Sequence, residues 1–276
     1  MSGSDRPLRF GTIVVVGGGC YGSYYVRQLR RAAAAEAVSW KRVAVVDENA
    51  SCALVTSGNA SVDERSTDGV ELVVDEWRTF FKRYLDDAAE RRHETVDDAI
   101  VPSPLMPHLM LEWILGRARE RWPDREVGTR PLESAPDTPW QRAAPNGPHY
   151  VSFAEWICPI NCIEPSTCPH TRSARTWSLP DTARDYVASE QNRGRALAGP
   201  VIFHCTHRAY GVGMFDTREV LAGDDFVRSL AENNAAAVLV GTMSHCHGAF
   251  ERLVIGPPIR SESGPNGASR FREHAA

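Results

Sequence analysis

The chain has 276 residues, with 31 Lys and Arg against 35 Asp and Glu and a formal net charge of −4. Its 42% hydrophobic and 24% charged residues exclude collagen-like, low-complexity and mainly disordered classes. The mild acidity carries no electrostatic footprint for nucleic acid or an anionic membrane surface.

The first ten residues, MSGSDRPLRF, lack the pattern of a secretory signal, and no apolar run approaches the ~18–20 residues of a membrane span. The seven cysteines are odd in number, and Cys20 and Cys52 stand far from the rest, unlike a secreted disulfide framework. The expectation is a cytoplasmic protein with a small-molecule substrate and no nucleic-acid or membrane partner, in which clustered cysteines point to metal or redox chemistry.

Residues 11–47 predict a strand–helix–strand unit. The strand Thr12–Val16 runs into GGGCYG and then into SYYVRQLRRAAAAEAV, where Val26, Leu29, Ala33 and Ala37 recur at helical spacing. A second strand, RVAVVD, follows. Residues 49–69 are polar and read as a loop. An amphipathic helix is expected from Asp75, with Trp77, Phe80, Phe81, Tyr84 and Leu85 on its core face. A buried strand at Ala99–Val101 and a helix from about His108 to Arg119 complete this half. Residues 133–148 are Pro-rich and polar and read as a linker. Beyond them YVSFAEWI, VIFHC and AAAVLVGTM read as strands, with DTARDYVAS and DDFVRSLAEN as helices between them. Strands alternating with helices predict an α/β fold with a mainly parallel sheet.

In GGGCYG, Gly17, Gly19 and Gly22 stand at GxGxxG spacing between a strand and a helix. Gly17 permits the tight turn, Gly19 the close approach of a pyrophosphate, and Gly22 tight helix–strand packing. The helix N-terminus offers N–H groups to the phosphates. Asp47, at the end of the second strand and 30 residues after Gly17, is placed to bind ribose hydroxyls, although the usual interval is ~20. Its carboxylate favours NAD over NADP. Residues 11–50 resemble the Rossmann NAD(P)-binding family, which implies a Rossmann-like fold holding NAD or NADP; S-adenosylmethionine or FAD in the same loop, or no dinucleotide, are the alternatives. On this reading residues 1–132 form a Rossmann-like region, 149–256 a Cys/His-rich metal and substrate region, and 257–276 a flexible tail.

Five of the seven cysteines lie between 158 and 246. Cys158, Cys162 and Cys168 form a Cys-x3-Cys-x5-Cys triplet in a loop stiffened by Pro159, Pro165 and Pro169, which lowers the entropy cost of closing a metal site. His204, Cys205 and His207 form a second group and His245, Cys246 and His247 a third. Each group follows a predicted strand, so metal and dinucleotide are expected to share one crevice if the sheet is continuous. The expected ligands are Cys158, Cys162 and Cys168, then Cys246, then Cys205. Zinc is placed ahead of an iron–sulfur cluster, with buried inert thiols as the plain alternative. Glu164 is a candidate general base and His207 a candidate acid/base. Arg172, Arg175 and Arg208 are candidate anion clamps, and packing or capping is expected for His108.

The sequence has no GxSxG elbow, P-loop or HExxH, which lowers the case for the hydrolases and NTPases that use them. The function read from these residues is an NAD(P)-dependent oxidoreductase with a Cys/His metal site beside the cofactor crevice. A non-catalytic nucleotide-binding redox or metal sensor, and a metal-dependent hydrolase or transferase on a Rossmann-like scaffold, are the alternatives.

Overall fold

A computed structural model of the chain describes residues 6–58, 69–145 and 147–258. The first sheet begins with β1 (Leu8–Val16), whose Ile13, Val14 and Val15 are wholly buried. β-Branched residues buried on both faces are what a central parallel strand requires. Helix α1 (Cys20–Ala34) follows and buries Val26, Leu29 and Ala32; it stops short of the expected Ala37, which is exposed. Next come β2 (Val38–Asp47), the short α2 (Ala53–Thr56), β3 (Val70–Val74), α3 (Trp77–Glu90) and β4 (Ala99–Val101).

These four strands are parallel, in the order β3-β2-β1-β4. The connections run one way from β1 and the other way into β4, so a crevice opens at the carboxyl ends of β1 and β4. α3 carries the expected core: Phe80, Phe81 and Leu85 are buried and Trp77 and Tyr84 are partly buried against them.

α4 (Leu109–Arg121) leads to the second sheet, built from β5 (Val127–Arg130), β6 (Trp140–Ala143), β7 (His149–Ser152), β8 (Ala198–His204), β11 (Ala236–Met243) and β12 (His247–Ile255). β6 lies within residues 133–148 and pairs with β7. α5 (Leu179–Asn192), with Pro180 in its first turn, precedes β8. β8 runs through Cys205 into β9 (Thr206–Ala209), which belongs to the first sheet, and β10 (Val212–Asp216) turns back against both β9 and β4. α6 (Thr217–Ala231) starts at an Asp216–Glu219 capping box.

The protein is therefore α/β, with two mixed six-stranded sheets, of which the first is largely parallel. The expected mainly parallel sheet is corrected in the second half: β8 and β11 are parallel, while β5, β6, β7 and β12 pair antiparallel. YVSFAEWI is strand only as far as Ser152, so Cys158 sits in a loop beyond an antiparallel strand.

Three cores stack the molecule in five layers. α1 covers one face of the first sheet. α3, α4 and α6 fill the space between the sheets. α5 covers the outer face of the second. No helix of the described residues is long and apolar enough to cross a membrane. Most of the 257–276 tail lies outside the described residues.

Glu251 of β12 is half-buried. Burial, and then the charge of Glu112, push its pKa up to about 7. The stability tied to its protonated form is full below the ordinary glutamate pKa and is lost as pH rises through about 7. Glu251→Gln should remove that loss, narrowing the stability difference between pH 5 and pH 8 by about 1 kcal/mol after allowance for partial exposure. Urea denaturation of both proteins at the two pH values measures it.

Candidate functional site

The glycine loop joins β1 to α1. Gly17 has φ +85° and donates its N–H to Val46 O at 2.8 Å. A Cβ at Gly22 would strike the Gly17 carbonyl, whereas one at Gly19 would meet nothing. The α1 N-terminus starts at Gly19 without a side-chain cap or an acidic residue in its first turn, so its N–H groups keep their partial positive charge.

Asp47 accepts Gly18 N–H at 2.7 Å and Asn49 N–H at 2.8 Å, one on each oxygen. Its carboxylate shapes the loop, with lone pairs left over. Cys52 is buried and fills the space where a Gly18 side chain would stand.

Residues 153–178 form the loop that carries the cysteine triplet. It is cross-tied by an isolated bridge from Thr167 to Ala174, by Cys168 N–H to Ser173 O (2.9 Å) and by Arg175 N–H to Ser166 O (2.7 Å). The Arg175 guanidinium donates to the carbonyls of Pro165 and Trp177. Trp156 stacks on His170 with ring centroids 4.2 Å apart.

Glu164 anchors this loop to the turn between β11 and β12. Its carboxylate accepts Ser244 Oγ–H at 2.5 Å, His245 N–H at 2.9 Å and Cys246 N–H at 3.1 Å. The residue sits in the left-handed region, at φ 52°, a conformation that costs a non-glycine residue about 1–2 kcal/mol. Burial pushes its pKa up, but the bonds from Ser244 and the His245 N–H, then the charge of His207 and the Cys246 side chain, prevail and hold it below the ordinary glutamate value. A carboxylate kept anionic by such donors is a weak base, so this geometry suits a positioning role better than general-base catalysis.

The clamp brings Cys246 to the triplet. Cys158, Cys162, Cys168 and Cys246 line one cavity of about 370 Å³. Its other wall comes from Tyr21 and Tyr25 of α1 and from Pro104, just past β4. Trp177 donates its indole N–H to Cys246 Sγ at 3.2 Å. Burial, and then the charges of Cys162, Cys168 and Glu164, push the Cys158 thiol up. Burial likewise pushes Cys246 up to about 12, with Glu164 adding to it. Backbone hydrogen bonding at Thr171 pulls Cys168 the other way. A metal cation that coordinated these sulfurs would displace their protons.

Cys205 stands apart from these four, lining an adjoining cavity of about 350 Å³. Its Sγ packs on Gly213, and burial pushes it up to about 12. His207 donates Nδ1–H to Gly211 O at 2.8 Å, which leaves Nε2 as its acceptor. His247 lines both cavities, and its Nδ1 meets Ser152 Oγ at 2.9 Å. Arg208 pairs with Asp216 inside the chain, and His108 is the N-cap of α4. A larger cleft, of about 680 Å³, opens beside Trp177 and contains none of the cysteines.

The sequence reading did not single out Trp177, Tyr21, Tyr25 or Ser244 for this site. The i, i+4 spacing of Tyr21 and Tyr25, directly after the glycine loop, was the available signal for two of them. Among the described residues no three His, Cys, Asp or Glu side chains are drawn together as on one metal ion.

The chain belongs to the AF_1314_C family. Its description is "Uncharacterized protein, C-terminal domain", and the match spans residues 110–256. That span runs from the start of α4 to the end of β12 and holds this chain's five cysteines between 158 and 246, but not the glycine loop. No curated protein and no solved structure matches the chain.

Two stability experiments test this geometry. Gly22→Ala should cost about 3 kcal/mol or more from the forced clash, while Gly19→Ala, which meets no neighbour, should cost only the ~1 kcal/mol of a poorer N-cap. Glu164→Gln puts an NH2 group against backbone donors and should cost about 2 kcal/mol in urea denaturation.

Proposed function

We propose that the chain is an oxidoreductase that pairs a dinucleotide at the glycine loop with an iron–sulfur centre held by Cys158, Cys162, Cys168 and Cys246. The observation that carries this reading is the meeting of those four cysteines at one cavity. The cavity's far wall is the helix that starts at the glycine loop.

The donor set fits such a group. Four thiolates are the usual ligands of a [4Fe–4S] cluster. A single zinc ion would draw its sulfurs to about 2.3 Å from one point, and the cavity of about 370 Å³ that the four cysteines line with other residues has room for a larger group. The geometry thus favours the cluster over zinc, the reverse of the order suggested by residue types alone. When bound, a cluster supplies one-electron transfer. Around it, the chain's own groups set the electrostatics: Trp177 N–H stabilises charge on the Cys246 sulfur and Glu164 fixes the Cys246 backbone. Ile157, next to Cys158, is 98% exposed, which leaves this wall of the cavity near the surface and within reach of a redox partner.

The dinucleotide half rests on the β3-β2-β1-β4 order, the left-handed Gly17, the obligatory Gly22 and the uncapped α1 N-terminus. These are Rossmann-like features, and they grip the adenosine diphosphate shared by NAD, NADP and FAD. FAD can pass single electrons to a cluster directly, whereas a nicotinamide delivers a hydride.

Anaerobic reconstitution with iron and sulfide, followed by titration with NADH, NADPH and FAD, tests both halves. The wild-type chain should gain broad visible absorption and bind one of the three saturably. Gly19→Ala should weaken that binding about tenfold, since a methyl group would occupy the phosphate approach. A Cys158→Ser, Cys162→Ser double variant should gain no absorption. Full absorption in that variant contradicts the cluster assignment. Absence of binding by all three dinucleotides at millimolar concentration contradicts the glycine-loop assignment.

A further inference from the structure

The cavity beside the cysteines has a lining of its own kind. It lies at the carboxyl ends of β4 and β11, between Pro102–Pro104 on one side and Thr242–Ser244 on the other. It shares Tyr25, Pro104 and His247 with the cysteine cavity, so the two adjoin along that wall. At about 350 Å³ it is in the range of small-molecule sites.

Two properties of the lining select a ligand. Among the described residues no Asp, Glu, Lys or Arg contributes to it, in a chain that is 24% charged. A charged ligand there would lose its hydration without gaining a counter-ion. Its aromatic groups are Tyr25, Trp140 and Tyr150, broad flat surfaces suited to a ring. Trp140, on β6, is 43% exposed and so stands towards solvent.

The polar handle is His247. Ser152 Oγ has one proton, and it lies 2.8 Å from Ala154 O, which can only accept. Ala154 N–H in turn donates to Ser152 Oγ. The contact to His247 Nδ1 at 2.9 Å is then made by an imidazole N–H donating to the serine oxygen. That tautomer leaves Nε2 as an acceptor on a side chain that lines the cavity. The Tyr25 hydroxyl adds a donor.

We infer that this second cavity binds an uncharged, ring-bearing organic molecule with a hydroxyl or carbonyl group, the substrate class of the proposed oxidoreductase. The substrate role rests on that reading; the binding site itself does not.

2-Naphthol and 2-naphthalenesulfonate share a ring system and differ in charge, and each is titrated into the full chain by calorimetry. Iron content and dinucleotide binding are measured on the same preparations. 2-Naphthol should bind once per chain, at least about a hundredfold more tightly than the sulfonate. Trp140→Ala removes one aromatic wall and should loosen 2-naphthol about tenfold with iron content unchanged. Ala249→Leu, which narrows the cavity from β12, should loosen it as well. Equal binding of the two compounds, no binding of 2-naphthol, or binding indifferent to both substitutions overturns the inference. Selective 2-naphthol binding by a chain that takes up neither iron nor dinucleotide upholds the site and removes only the redox reading.

Discussion

The carboxylate of Glu164 takes three hydrogen bonds from residues 244–246, about eighty positions further along the chain. The cysteine loop has little regular structure; its internal ties hold its shape, and its two ends meet the same turn through Phe153 N–H to Cys246 O and Leu179 N–H to His245 O, both at 2.9 Å. This clamp, made by an ionised acceptor and therefore stronger than a neutral bond, fixes the loop against the end of β11. Cys246 then faces the same cavity as Cys158, Cys162 and Cys168. The left-handed backbone at Glu164 is consistent with strain retained for that purpose.

The layered fold gives the clamp its setting. β8 leaves the second sheet at Cys205 and enters the first as β9, so the strand ends of both sheets come to one region. α3, α4 and α6 share a single core between the sheets, which makes slippage of one sheet over the other costly. The helix after the glycine loop and the loop with the cysteines are distant in sequence, yet they form opposite walls of one cavity. The AF_1314_C match covers the cysteine wall and not the glycine loop; the crevice joins the matched and unmatched parts of the chain.

Much of this was legible in the residues because the relevant signals are local. The valine runs of β1 and β2, the helical spacing of Val26 and Leu29, and the aromatic face of α3 depend on neighbours within a few positions. The glycine loop was readable for the same reason, since Gly17 and Gly22 answer to backbone geometry within six residues. Strand direction in the second sheet was not legible. Whether β7 runs with or against β12 is decided by pairing across nearly a hundred residues, and no short window records it. Glu164 was visible as a residue of the loop, but its partners lie across the molecule, so its positioning geometry emerged only in three dimensions. The separation of Cys205 from the other four follows from the change of sheet at that residue, which strand propensity does not encode.

The central claim is that four cysteines, brought together by the Glu164 clamp, hold one multi-iron group. Iron and sulfide counted per chain after anaerobic reconstitution, in wild type, Cys246→Ser and Cys205→Ser, tests it most directly. The account predicts about four irons for wild type and for Cys205→Ser, as for a [4Fe–4S] centre, and a marked loss for Cys246→Ser. Undiminished iron in Cys246→Ser, or a single zinc ion as the stoichiometric metal of the wild-type chain, would contradict it.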